Sequence, residues 1–418
     1  MQQHVRERVA KEAGSAMRLP FGAMTITPTS KRLVMDCLER NRVSGGRLVR
    51  EFEEKAASLL GVKEVVAVSS GTDADTLALA ALHDFGVKRG DECIVPALSY
   101  AATGHAVIHA GLKPVFVDID PQTLNIDVKA LEASITPRTR AVMPVHLMGK
   151  PAPMDEIQAI AKKHNLFVVE DAAEAWGALY KGRPAGALAD MGAFSSYVAH
   201  IITTGDGGII STDREDFAEI LRSLRGHGRA CACKVCVSTV TGGQCEKRFA
   251  DASIGDRRFH FERIGYSSRM NDLEAALGLG SMEVYDEIIS VRRGNLMRMI
   301  DGFGRFEEFL WTFREESFER IGPHAFPFVV KSGAPFTRDE LIVYLQRNGI
   351  DPRTLFSSIP TQCGGYEFLG YKPGDFPQAE YVGKRGIHVG VHQEITPDDV
   401  QYFLGVVADF LRAHGCAC

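Results

Sequence analysis

The sequence predicts an α/β protein: a three-layer sandwich around a mostly parallel sheet, followed by a smaller C-terminal α/β domain. Three observations point there. Short Val- and Ile-rich runs bounded by turn residues recur from about residue 50 to 220, as buried strands do. Helical patterns separate those runs, as the crossovers of a parallel sheet require. The chain has 418 residues, beyond the roughly 250–300 at which one core stops growing, so a second unit is expected.

In order, "EVVAVSS" reads as a strand and "GTDADTLALAALHDFG" as a helix. "DECIVPALSY" is the next strand and "AATGHAVIHAG" the next helix. "KPVFVDID", "TRAVMPVHLMG" and "LFVVEDA" are three further strands, with the helix "PMDEIQAIAKKHN" between the last two. Right-handed connections between such strands give helices on both faces. After about residue 280, "DEIISVRRGNLMRMIDGFGRFEEF" reads as a long helix leading into the smaller unit. The expected division is a tail over 1–22, a large domain over 23–280 and a small domain over 281–418. A glycine-rich, charged insertion with little periodicity interrupts the large domain at 229–262.

Composition narrows the function. A net charge of −5 lacks the basic excess of a nucleic-acid surface. No run of eighteen apolar residues is present, so no membrane span is expected. "MQQHVRERVAKEAGSAM" has no apolar core and contains acidic residues, unlike a secretory signal. The expected location is cytoplasmic. Nine cysteines in that compartment are not a disulfide framework. Four of them, Cys231, Cys233, Cys236 and Cys245, crowd into "CACKVCVSTVTGGQC", a density that suits zinc or an iron–sulfur cluster.

Candidate ligand-binding residues fall at strand ends, where open α/β sheets bind ligands. Gly71 and Thr72 stand at a strand-to-helix turn, whose free N–H groups favour a phosphate; a plain N-cap explains the turn equally well. Tyr100 follows a strand and either stacks on a flat ring or packs as an ordinary aromatic. Asp171 ends an apolar strand, and a buried carboxylate there needs a cationic or hydrogen-bonding partner. A pyridinium nitrogen is such a partner, and Glu174 lies three residues on. Ser195 precedes His200 by five residues, and the tight "GDGG" follows.

Taken in this order, the residues resemble the fold-type I pyridoxal-phosphate (PLP) enzymes, specifically the DegT/DnrJ-type nucleotide-sugar aminotransferase family. "VEDAAEAWGA", "GDGGII" and "IGYSSRMNDLEAALGL" carry the resemblance along with the residues above. It implies that Gly71, Thr72 and Ser195 hold the cofactor phosphate, that Tyr100 stacks on the ring, that Asp171 pairs with the ring nitrogen, and that Glu174 lies near the 3-hydroxyl. It also implies a homodimer with shared sites. Ser267 stands where the family has an Asn that reaches across to the phosphate.

His200 is the larger departure, because the family's aminotransferases place a lysine there. A lysine amine ties the cofactor covalently and moves protons. Imidazole does only the second, with a pKa of about 6.5 suited to acid–base work. From Ile201 to Cys233 there is no lysine. The cofactor would be held without a covalent tie and enter as pyridoxamine phosphate (PMP). This is similar to the 4-keto-6-deoxyhexose 3-dehydratase branch of the family, which carries histidine at this position and removes the C3 hydroxyl of a nucleotide sugar.

One subgroup of that branch carries a [2Fe–2S] cluster, with cysteines matching Cys231, Cys233 and Cys245. Its fourth ligand falls at Ala173 here, and Cys236 is the obvious replacement; the cluster type stays open, with zinc as an alternative. The resemblance implies a reductase or ferredoxin as electron donor. Two other readings remain from the sequence: an aminotransferase-like enzyme with a structural zinc loop, and a cofactor-binding regulator without turnover.

Overall fold

The computed structural model describes residues 17–240 and 243–416. The large unit contains α1 (Pro28–Glu39), α2 (Arg47–Leu60), β1 (Glu64–Val68), α3 (Gly71–Ala81), β2 (Glu92–Pro96), α4 (Ala101–His109), β3 (Lys113–Val117), β4 (Thr139–Val142), α5 (Met154–His164), β5 (Phe167–Asp171), β6 (Met191–Ser195), β7 (Gly208–Thr212), α6 (Glu215–Leu224) and α7 (Asp272–Glu283). Its seven strands form one sheet in the order β1-β7-β6-β5-β4-β2-β3. Only β7 runs antiparallel to its neighbours.

Alternation along each strand sends successive side chains to opposite faces. Val66 and Val68 of β1 join one core, and Val65 and Ala67 the other; Val169 and Val168 of β5 divide the same way. Both faces are thus apolar and covered, which explains why these strands read as continuous Val/Ile runs. β6 contains Gly192 and β7 opens on Gly208, leaving only a short apolar pair in each, so neither gave such a run.

A long helix, α8 (Tyr285–Phe303), leads to a second sheet of β8 (Leu310–Trp311), β9 (Ala325–Val330), β10 (Arg353–Thr354) and β11 (Gly386–Gly390), ordered β8-β9-β11-β10 and antiparallel throughout. The C-terminal helix α9 (Pro397–Ala413) packs on α8, their meeting faces lined by Leu296, Met299, Phe403 and Val407. The N-terminal segment enters this unit: Leu19 bridges Ile350, and Leu19 and Phe21 are both buried. Leu19 and Phe21, at the end of the tail expected over 1–22, are thereby packed against the small unit; residues 1–16 lie outside the described range.

Register brings four strand ends to one edge. Val68 of β1 and Ser195 of β6 both pair with Gly208, the first residue of β7. Asp171, the last residue of β5, pairs with Ala193. The insertion is pinned at its base by Arg229 bridging Phe261 and by Ala230 N donating to the His260 carbonyl at 2.9 Å. Among the described residues of the insertion, helix forms only as short turns, over Val237–Val240 and Glu246–Phe249.

Candidate active site

The converging strand ends open into a cavity of about 520 Å³. Gly71, Thr72, Tyr100, Asp171, Glu174, Ser195 and His200 all line it. Helix α3 begins there, and Ser70 caps it by accepting from Asp73 N at 3.0 Å. The first N–H groups of α3 therefore stand beside Ser195. Gly71 is required by close approach: a Cβ at this position would lie 2.7 Å from Ser195 Cβ. Gly207, at φ +152°, is required as well, since a Cβ there would meet Thr204 Oγ1 at 2.3 Å. A helix start with free donors and a notch kept open by glycine suits a phosphate.

Asp171 is buried. Its Oδ2 accepts from Thr103 Oγ1 at 2.7 Å and its Oδ1 from Ala173 N at 3.2 Å. Ser99 Oγ lies 2.7 Å from Thr103 Oγ1 and holds that hydroxyl in place. Burial pushes the Asp171 carboxyl up, against the Thr103 and Ala173 hydrogen bonds and the nearby His146. Behind it, Asp75 is buried with its Oδ1 unpartnered, and its carboxyl is held well above the ordinary range by burial and then by Asp171. Two buried carboxyls without a cation create a site that a pyridinium nitrogen would complete.

Glu174 accepts from Met148 N at 2.7 Å, and its Oε1 lies 3.4 Å from His324 Nε2. Burial raises its pKa to about 8, with Asp171 adding to the rise against the Met148 bond. The carboxyl is therefore protonated at neutral pH and presents a donor. Tyr100, 64% exposed, lines the cavity with its ring centroid 5.8 Å from that of Phe356. Such an uncovered aromatic offers a face to a planar ligand.

His200 lies in the turn between β6 and β7, its N–H bonded to the Tyr197 carbonyl at 2.9 Å. Burial and then the Arg292 guanidinium lower its pKa to about 4, opposed by a hydrogen bond with the Ala173 backbone. The ring is partly exposed to the cavity, so solvent there moderates the effect of burial while leaving its direction. No lysine lines the cavity among the described residues.

The wall also contains residues that sequence reasoning missed: Asp75, Ser99, Thr103, Phe21, His324, Arg353, Phe356 and His388. Thr103 lies in the first turn of α4, three residues after Tyr100, which precedes that helix in extended conformation, and this closeness in sequence was a usable signal. His324 and His388 come from the second sheet region, where nothing local marked them. Ser267 is exposed, bridges Gly226, and is not part of this wall.

Cys231, Cys233, Cys236 and Cys245 line a separate cavity of about 760 Å³, with Arg222, Lys234, Lys247, Arg248, Arg257 and Arg258 also in its walls. Cys231 hydrogen-bonds to Cys233. Among the described residues, however, no group of three or more His, Cys, Asp or Glu side chains is arranged to hold a metal ion. The expected four-ligand metal site is thus not present as a coordination shell, although the loop gathers its cysteines. Ala173 lines the cofactor-sized cavity instead and is not with them. Among the described residues no helix is long and apolar enough to cross a membrane.

A large sandwich whose strand ends carry a phosphate notch, a buried aspartate and an uncovered aromatic defines a fold-type I PLP enzyme scaffold. Residues 25–408 match the DegT/DnrJ/EryC1/StrS aminotransferase family, and the chain belongs to that family. It is similar to GDP-perosamine synthase of Caulobacter vibrioides, 35% identical over 94% of this chain and 98% of that protein. It is also similar to GDP-4-keto-6-deoxy-D-mannose 3-dehydratase of Escherichia coli O55:H7, 31% identical over 93% of this chain and 99% of that protein. The solved structure of an E. coli GDP-4-keto-6-deoxy-D-mannose-3-dehydratase with bound hydrated PLP superposes with a TM-score of 0.82, at 30% identity, over 94% of this chain and 99% of that one.

Proposed function

We propose that the protein is a PMP-dependent dehydratase that removes the C3 hydroxyl of a nucleotide-linked 4-keto-6-deoxy sugar, with His200 as the base. The observation that carries this reading is His200 itself, in a cavity wall without lysine among the described residues. The relatives include both a perosamine synthase and a 3-dehydratase, so family membership does not choose between them. A wall without a primary amine supports the second.

Bound PMP supplies an amine that condenses with a ketone and a ring that stores the electron pair released by deprotonation. The chain does the rest. The α3 N–H groups at Gly71 and Thr72, with Ser195, anchor the phosphate. Asp171, oriented by Thr103, meets the ring nitrogen, and Tyr100 covers one ring face. Protonated Glu174 donates toward the ring oxygen. His200, unprotonated at neutral pH, accepts the proton from carbon.

Loss of hydroxide balances without outside electrons, so this step needs no redox group. Cys231, Cys233, Cys236 and Cys245 would hold an iron–sulfur cluster, reduced by a reductase or ferredoxin. All four cysteines line one cavity, whose six Lys and Arg side chains outnumber its four Glu, which supports it; zinc remains the alternative. A homodimer is proposed on the family resemblance.

The test is incubation of the PMP-loaded protein with a GDP-linked 4-keto-6-deoxyhexose, with the product read by mass spectrometry. Loss of the C3 oxygen is expected. Gain of an amine at C4, with the C3 oxygen retained, would make the protein an aminotransferase.

A further inference from the structure

Arg292, in α8, is a buried cation that the chemistry above does not use. It is 1% exposed. Its Nε donates to Gln393 Oε1 at 3.1 Å, and its Nη1 reaches the His324 carbonyl at 3.5 Å. Its Nη2 is buried without a hydrogen-bond partner. Burial alone depresses it, to about 10, with no carboxylate acting on it among the described residues. A guanidinium keeps its proton, so this is a fixed positive charge in a poorly screened interior. Such a charge costs stability unless it is compensated.

The hydrogen bonds of Arg292 set it beside two histidines: Nη1 meets the His324 backbone, and Gln393, the partner of Nε, follows His392 directly in the chain. The Arg292 charge acts on His200, His324 and His392. His324 stands between the arginine and the cavity: its ring centroid is 4.9 Å from that of His200, and its Nε2 faces Glu174.

We propose that Arg292 is a positioning residue for His200: its uncompensated charge keeps the His200 ring unprotonated before turnover and favours prompt release of the proton the ring picks up. The proton taken from carbon then passes to the departing C3 oxygen. A C–H and a C–O bond break, an O–H bond forms, water leaves, and the imidazole is restored with no net change of electrons. This rests on His200 being the base. The charge of Arg292 acts on His200, whose ring lies 4.9 Å from that of His324 and 6.3 Å from that of Tyr197, and Asp75, Asp171, Glu174, Asp206, Arg353 and His388 share its cavity wall. The carboxyl groups oppose the arginine only when ionised.

The test compares wild type, Arg292→Gln and Arg292→Lys in kcat for hydroxyl loss against pH. Arg292→Gln is expected to move the acid limb upward by about half a pH unit or more, while Arg292→Lys leaves it near wild type. An acid limb in Arg292→Gln that coincides with wild type overturns the proposal, whatever happens to the size of kcat. His200 is also titrated by NMR in ¹⁵N-histidine-labelled holoprotein, assigned with His200→Asn. A wild-type His200 that titrates at or above the ordinary imidazole value overturns the proposal even if Arg292→Gln does not fold. If the wild type shows no hydroxyl loss, the dehydratase reading fails by itself, and the difference in His200 titration between wild type and Arg292→Lys or Arg292→Gln still decides the role of Arg292.

Discussion

The ring of His200 lies 4.9 Å from the ring of His324, with the two planes tilted by 36°. The two residues are 124 positions apart in sequence and belong to different units, one in the turn after β6 and one ahead of β9. Two imidazoles that close do not both carry a proton at low cost, and a single imidazole moves one proton at a time. The pair, with Glu174 3.4 Å from His324, puts three titratable side chains at a cavity wall in which no lysine stands among the described residues.

Gly71 keeps the phosphate notch open. Gly71→Ala places a methyl 2.7 Å from Ser195 Cβ and 3.1 Å from Ser195 Oγ, a separation that forces β6 or α3 to shift. PMP affinity is expected to fall by about tenfold or more, or ~1.4 kcal/mol, with the fold retained. Absorbance titration of the cofactor measures this, and an unchanged affinity would remove the phosphate from this end of α3.

Glu174 supplies a pH dependence. Its folded pKa is raised, to about 8, so the neutral acid persists from acidic pH up to that value and is lost as pH rises through it. The donor toward the cofactor disappears with it, and a carboxylate forms beside Asp171. Cofactor binding by the wild type is expected to weaken above about pH 8. Glu174→Gln keeps a donor at every pH and should bind with a flat profile over the same range. Parallel profiles for the two proteins would count against a protonated Glu174.

The cysteine loop makes a separable prediction. Cys236 lines the same cavity as Cys231, Cys233 and Cys245, and the proposed cluster takes it in place of the ligand that the family resemblance puts at Ala173. Iron and sulfide analysis of anaerobically prepared protein is expected to find a cluster, and Cys236→Ser to reduce the iron content by at least about half, as loss of one of four ligands weakens a thiolate site. Full iron retention in the variant would assign the fourth ligand elsewhere, and zinc without iron would make the loop structural.

Much of this site was legible because strand ends and glycines carry local signals. Asp171 closes an apolar run, Gly71 follows a strand and opens a helix, and both line the cavity as placed from the sequence. β6 and β7 were not read as strands, since each holds a glycine and only a short apolar pair. Thr103, Asp75 and His324 were missed for a different reason. Their importance comes from what tertiary packing sets beside them: Thr103 reaches a carboxylate 68 residues away, and His324 meets one 150 residues away. The cysteines are an intermediate case. Their spacing marks a cavity that all four line, but in a loop with so little regular structure it does not fix how the side chains converge, and no three are arranged around a metal position among the described residues.

The central claim is that this cavity uses its vitamin B6 cofactor without a covalent tie. The most direct test loads the protein with PLP, reduces it with borohydride, removes free cofactor under denaturing conditions and maps any pyridoxyl group by peptide mass spectrometry. No labelled peptide is expected, and the cofactor should be recovered in full in the small-molecule fraction. A pyridoxyl group fixed stoichiometrically to a lysine would contradict the account and return the protein to the aminotransferases.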